Sequence, residues 1–179
     1  LVSDQTPVKQ TGDEAQILAT LNLPFYIDKS RVRAVKAITD NHDCDIIISD
    51  DGLQHYKMNR DIEIVVIDGK RRFGNNLTFP AGPLRESKSR LKSVDFVVNN
   101  SGPTEDNEYL MNISPSKFIH LKTGKSYLIK DWPMHKQVHA VAGLGNPGRF
   151  FDLLARLGFD ITRNSFPDHH NFSMRLNID

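Results

Sequence analysis

Three short runs of mostly β-branched residues constrain this chain more than anything else in it. Residues 45–49 read DIIIS, residues 62–67 read IEIVVI, and Phe96-Val97-Val98 forms a third. The apolar residues in them are continuous rather than alternating, so both faces of each strand are expected to be covered, as in a parallel sheet. Helical spacing lies between the runs. Residues 15–23 read as a helix, Val32, Val35 and Ile38 share one helical face, and residues 87–94 have the length of a short helix. Residues 24–27 fit a short strand. Strands alternating with helices predict an α/β fold with a mostly parallel sheet and helices on both faces.

Residues 101–107 (SGPTEDN) are a loop by composition. Beyond them, residues 118–121 and 126–129 flank Lys122-Thr123-Gly124-Lys125, the pattern of a hairpin around a Gly-containing turn. Asp131-Trp132-Pro133 breaks the pattern, so the expected organisation is a first domain over 1–130, a link over 131–136 and the start of a second, smaller α/β domain over 137–179. In that second domain, residues 138–142 form a strand, residues 149–157 a helix and residues 159–162 the next strand.

Composition narrows the function classes. With 23 basic and 22 acidic residues the net charge is +1, which gives no electrostatic case for a nucleic-acid partner. Cys44 is the only cysteine, so an intrachain disulfide and a cysteine-built zinc site are both excluded. No apolar run approaches the ~18 residues a membrane span needs. The chain opens on Leu1 and closes on Asp179 just after a polar cluster, so both ends read as cuts within a longer protein.

Several local patterns could carry chemistry. Ile46-Ile47-Ile48-Ser49-Asp50-Asp51-Gly52 puts two carboxylates just beyond an apolar run, where open α/β sheets bind ligands. Acids there suit Mg²⁺, which takes few protein ligands and keeps its waters; the alternative is a solvated turn. Thr123-Gly124-Lys125-Ser126 ends like a phosphate-binding loop, but Ile119 stands where such a loop needs glycine, so a hairpin turn is the better reading. Gly143, Gly145 and Gly148 fit the dinucleotide fingerprint. A tight turn with Pro147 opening a helix explains the same glycines without a cofactor. Thr11 and Glu14 have capping-box spacing, and Asp13 between them is either a first-turn acid or a proton acceptor. Phe166-Pro167-Asp168-His169-His170 offers a His–carboxylate pairing or simply a polar surface.

Taken in order, Gly12-Asp13-Glu14, Ser49-Asp50-Asp51-Gly52-Leu53-Gln54-His55, Arg60-Asp61-Ile62-Glu63-Ile64, Asp68-Gly69, Phe73-Gly74-Asn75, Pro80-Ala81-Gly82-Pro83-Leu84-Arg85-Glu86, residues 143–147 and residues 166–169 resemble the tetraacyldisaccharide 4′-kinase family. The DDGLQH and PAGPLRE strings are the specific part, and the resemblance covers nearly the whole chain. It implies a P-loop-kinase-like fold and a phosphotransferase with an alcohol acceptor. Such an enzyme uses ATP and Mg²⁺ to phosphorylate the 4′-hydroxyl of an acylated disaccharide glycolipid, tetraacyldisaccharide 1-phosphate, in lipid A biosynthesis. The work is done at the cytoplasmic face of the bacterial inner membrane.

Carried over by position, Asp13 matches the general base and His169 its partner. Asp51, with Asp50 beside it, matches the Mg²⁺ acids, and Glu14, Gln54, His55 and Arg85 match polar positions lining the site. The family's P-loop lies ahead of the position of Leu1, so the isolated chain is expected to be inactive. Three other readings compete: an oxidoreductase binding a dinucleotide at residues 143–148, a peptidyl-tRNA hydrolase suggested by Gly-Leu-Gly-Asn-Pro-Gly, and a non-catalytic scaffold.

Overall fold

The computed structural model describes residues 1–3, 6–168 and 170, apart from the side chains of Val8 and Asp13. Two compact units divide the chain, Leu1–Ile113 and Ser114–Asp179. This division falls ahead of the hairpin, where the sequence reading put the link at 131–136.

The first unit opens with helices α1 (Val8–Thr11) and α2 (Asp13–Ala19), followed by α3 (Arg31–Asn41). The expected capping box does not form. Gly12, at φ 85°, is the N-cap of α2, and the Thr11 hydroxyl donates instead to the Gly12 carbonyl at 3.1 Å. Helix α3 is capped as its sequence suggests, with Ser30 Oγ accepting from the Arg33 N–H and Asp28 pairing with Arg33. The strand expected at 24–27 reduces to one antiparallel bridge between Phe25 and Val2.

Strands β1 (Ile64–Asp68), β2 (Phe96–Asn100) and β3 (Glu108–Met111) form a parallel sheet in the order β1-β2-β3. The parallel α/β class follows directly from the apolar runs at β1 and β2. Period-2 alternation sorts the sheet into two faces. Ile67 and Asn99 lie on the buried face, whereas Ile64, Val66 and Tyr109 on the other are exposed. Residues 87–94, expected as a helix, hold a 3₁₀ turn at Lys88–Ser93.

The run at 45–49 is a correction. It is irregular coil rather than strand, because among the described residues nothing pairs with it, and Ile46 and Ile48 are 78% and 90% exposed. Side-chain character gives a segment its tendency to be a strand, but hydrogen-bonded neighbours make it one.

In the second unit, β4 (Lys117–Ile119) and β5 (Ser126–Leu128) make the expected antiparallel hairpin. Strand β6 (Gln137–Ala142), helix α4 (Pro147–Arg156) and strand β7 (Asp160–Ser165) form a parallel β-α-β unit, with α4 packed on both strands. Its core is Ala140, Ala142, Phe151, Leu154 and Phe159, against which Phe118 and Trp132 also pack. Burying each large side chain of this kind is worth about 1.5–3 kcal/mol.

Candidate active site

Asp50 and Asp51 sit on a turn held by side-chain contacts from Arg60 and Arg31. Asp51 adopts φ 49°, a left-handed conformation that Asp tolerates. The turn is also tight at Gly52, where a Cβ would fall 2.9 Å from Ser49 Oγ. Arg60 fastens it from behind, its guanidinium donating to the carbonyls of Gly52 at 2.5 Å and Leu53 at 3.2 Å. Arg31, from the start of α3, reaches the Asp50 carbonyl at 3.4 Å.

A second loop is tied to the first through Glu86. Gln54 Nε2 donates to Glu86 Oε1 at 2.8 Å, and the Tyr56 hydroxyl donates to Glu86 Oε2. Those hydrogen bonds hold the Glu86 carboxyl below the usual carboxylate range, and the same contact raises Tyr56. Arg60 and Arg90 both pair with Glu63, at 2.7 and 2.6 Å. Each also lies 5.9 Å from the centre of the Tyr56 ring. The result is a knot of two arginines, two glutamates, a glutamine and a tyrosine joining residues 50–56 to residues 85–90.

Of the residues singled out in the sequence, Asp50, Asp51, Gln54 and His55 share one loop, and Arg85 is exposed beside Glu86 on the other. Glu14 lies in the first turn of α2, and Asp13 opens that helix, its side chain outside the described residues. His169 lies outside the described residues altogether. Asp168 reaches Gly145, whose Cβ would stand 3.3 Å from its Oδ2. Residues 143–148 form the strand-to-helix turn, with Asn146 as N-cap and Pro147 opening α4. Sequence reasoning missed Tyr56, Glu63, Glu86 and Arg90. Arg60, Glu63 and Glu86 lie within motifs of the family resemblance, yet nothing local assigns them a role.

The donor set suits Mg²⁺. Asp50 and Asp51 offer exposed hard oxygen donors, and Mg²⁺ typically takes only one or two carboxylates. Among the described residues no group of three or more His, Cys, Asp or Glu is arranged to enclose a metal, as a structural zinc would require.

A family profile for tetraacyldisaccharide-1-P 4′-kinase matches residues 1–177. The chain belongs to the tetraacyldisaccharide 4′-kinase family. It is 48% identical over 171 residues to the tetraacyldisaccharide 4′-kinase of Ruthia magnifica subsp. Calyptogena magnifica, covering 95% of this chain and 54% of that protein. It is 46% identical to the enzyme of Shewanella denitrificans, covering 99% and 54%, and 44% identical to that of Haemophilus influenzae, covering 96% and 51%. The chain thus spans about half the length of the curated tetraacyldisaccharide 4′-kinases it matches. No solved structure matches it. The oxidoreductase reading of residues 143–148 finds no support among these relatives.

Proposed function

We propose that the protein containing this chain is an ATP-dependent kinase that phosphorylates the 4′-hydroxyl of a tetraacylated disaccharide 1-phosphate in lipid A biosynthesis. The work is done at the cytoplasmic face of the inner membrane. The observation that carries the proposal is the family match across residues 1–177, with the Asp50-Asp51 turn at the centre of a built site.

In this reading Asp13 accepts the proton of the attacking hydroxyl, and His169 orients or tunes it. Asp51, with Asp50 beside it, holds Mg²⁺, which supplies charge neutralisation at the phosphates. Arg85 adds positive charge next to the transferring group, and Glu14, Gln54 and His55 line the pocket. The Glu86 knot keeps Gln54 and the Asp50-Asp51 turn in register with Arg85. Phosphoryl transfer asks a protein mainly for positioning and electrostatics, which is what fixed loops of this kind supply. Asp13 and His169 are far apart in sequence, so in this reading their pairing depends on the folded full-length protein.

The test is turnover by the full-length protein with ATP and tetraacyldisaccharide 1-phosphate. Formation of the 4′-phosphorylated product, lost on Asp13→Ala with the fold retained, is the expected result. An active Asp13→Ala enzyme would sink the assignment of the base.

A further inference from the structure

The β4–β5 hairpin carries an apolar surface that the kinase reading does not use. Its turn closes tightly: the His120 N–H donates to the Lys125 carbonyl at 2.8 Å, and the Gly124 N–H to the His120 carbonyl at 2.8 Å. This closure pushes Leu121 out at the tip, 96% exposed. Strand alternation and register put Ile119 and Leu128 together on the hairpin's outer face, with Lys117 opposite Leu128. Both apolar residues are about half exposed, as is Met134 just beyond the hairpin. The opposite face turns inward, where Phe118 packs edge-on to Trp132 at 4.8 Å and to Phe159 at 5.4 Å. An apolar cleft of about 410 Å³ lies between Leu121, Trp132 and Met134. The exposed side chains are therefore held on a rigid base rather than a loose loop.

Charge says what covers this surface. Residues 114–136 contain five lysines and one acid, Asp131, a local balance of +4 in a chain whose total is only +1. Lys117, Lys122, Lys125, Lys130 and Lys136 are all exposed. An exposed leucine tip with Lys122 and Lys125 in the same turn and Lys117 on the outer face matches a lipid bilayer interface. The exposed apolar side chains enter the acyl boundary and the ammonium groups meet anionic phosphates. A protein partner would need acidic surface around an apolar socket, and a bare apolar contact would leave the lysines unexplained.

We infer that the β4–β5 hairpin is a membrane-contact element that docks on anionic phospholipid surfaces through Leu121, Ile119 and the surrounding lysines. The inference stands on the hairpin's own residues and holds whatever the enzyme's substrate.

The test uses the full-length protein with its other cysteines replaced, Cys44→Ser among them, and an environment-sensitive fluorophore on Thr123→Cys. Vesicles of phosphatidylcholine containing phosphatidylglycerol should brighten and blue-shift the label, and vesicles of pure phosphatidylcholine should not. A label on Lys57→Cys in the first unit should respond to neither. Leu121→Asp should weaken binding to the anionic vesicles by at least tenfold. Lys122→Gln and Lys125→Gln should each weaken it by about fivefold. No response at position 123 on anionic vesicles overturns the inference, even if the protein binds them by another segment. An equal response to neutral vesicles removes the role of the lysines and overturns it too. A label already shielded before lipid is added shows that another part of the protein covers the hairpin, with the same consequence. No turnover is measured, so these outcomes are separate from the fate of the kinase assay.

Discussion

Gln54 and Glu86 stand 32 positions apart in the chain and meet in a 2.8 Å hydrogen bond. That bond, with the Tyr56 contact on the other carboxylate oxygen, makes Glu86 the clasp between the acidic turn and the loop that carries Arg85. If Asp50 and Asp51 hold Mg²⁺ as proposed, Glu86→Ala in the full-length enzyme should lower kcat by about 10–100-fold, the usual cost of losing support behind a metal site. The stability loss should be at most about 1.5–3 kcal/mol, that of a hydrogen bond to a charged group. Steady-state kinetics beside thermal unfolding separates the two. A stability loss with unchanged kcat would mean the knot only holds the fold.

Asp51→Ala should cut turnover severely, with partial recovery as Mg²⁺ is raised, because weaker metal affinity can be offset by mass action. A Mg²⁺ titration of the variant and the parent reads this directly. Identical curves would return Asp50-Asp51-Gly52 to the role of an ordinary turn.

Much of the fold was legible and much of the site's support was not, and the division follows the range of the interactions. The β6-α4-β7 unit is self-contained: strand, Pro147-led helix and strand lie side by side in sequence and in space, so local pattern sufficed. The run at 45–49 has equally strong strand character and is no strand, since pairing depends on a neighbour that its own residues do not specify. Asp50 and Asp51 stand out as adjacent acids after an apolar run, whereas Gln54 and His55 come only from the resemblance to the family. Glu86 and Arg90 were invisible as partners of Tyr56 and Glu63, because only folding brings residues about thirty positions apart into contact. The capping box at Thr11 and Glu14 misled for the opposite reason: its spacing was right, but the chain turns at Gly12.

Asp13 and His169 should behave as one unit. General-base assistance is typically worth about 10²–10⁴-fold in rate. Residues that act together show non-additive losses. Asp13→Ala and His169→Ala should each lower kcat, and the double variant should be little worse than the poorer single. Multiplicative losses in single-turnover kinetics would show that they act separately.

Glu108 gives the first unit an acid-sensitive point. Arg72 grips both its oxygens at 2.7 and 2.8 Å, Asn99 donates at 2.8 Å, and the carboxyl is held down at about 2 against an ordinary 4.5. A carboxyl depressed on folding stabilises the native state above its unfolded pKa, and that contribution fades as pH falls from about 4.5 towards 2. Unfolding of the parent by denaturant should therefore become easier across that window. Glu108→Gln should be less stable at neutral pH and flatter on the acid side. An unchanged acid slope in Glu108→Gln would assign the sensitivity to other carboxyls.

The open face of the β1-β2-β3 sheet bears on how the isolated chain behaves as a solute. Ile64 and Val66 project from β1, which among the described residues is also the sheet's edge, and Ile46 and Ile48 are bare on the unpaired segment 45–49. An edge strand with unpaired amides beside greasy side chains is a template for a second copy of itself. A solution of residues 1–179 will therefore be colloidally unstable: its scattering will climb with concentration, and mild detergent will bring it down.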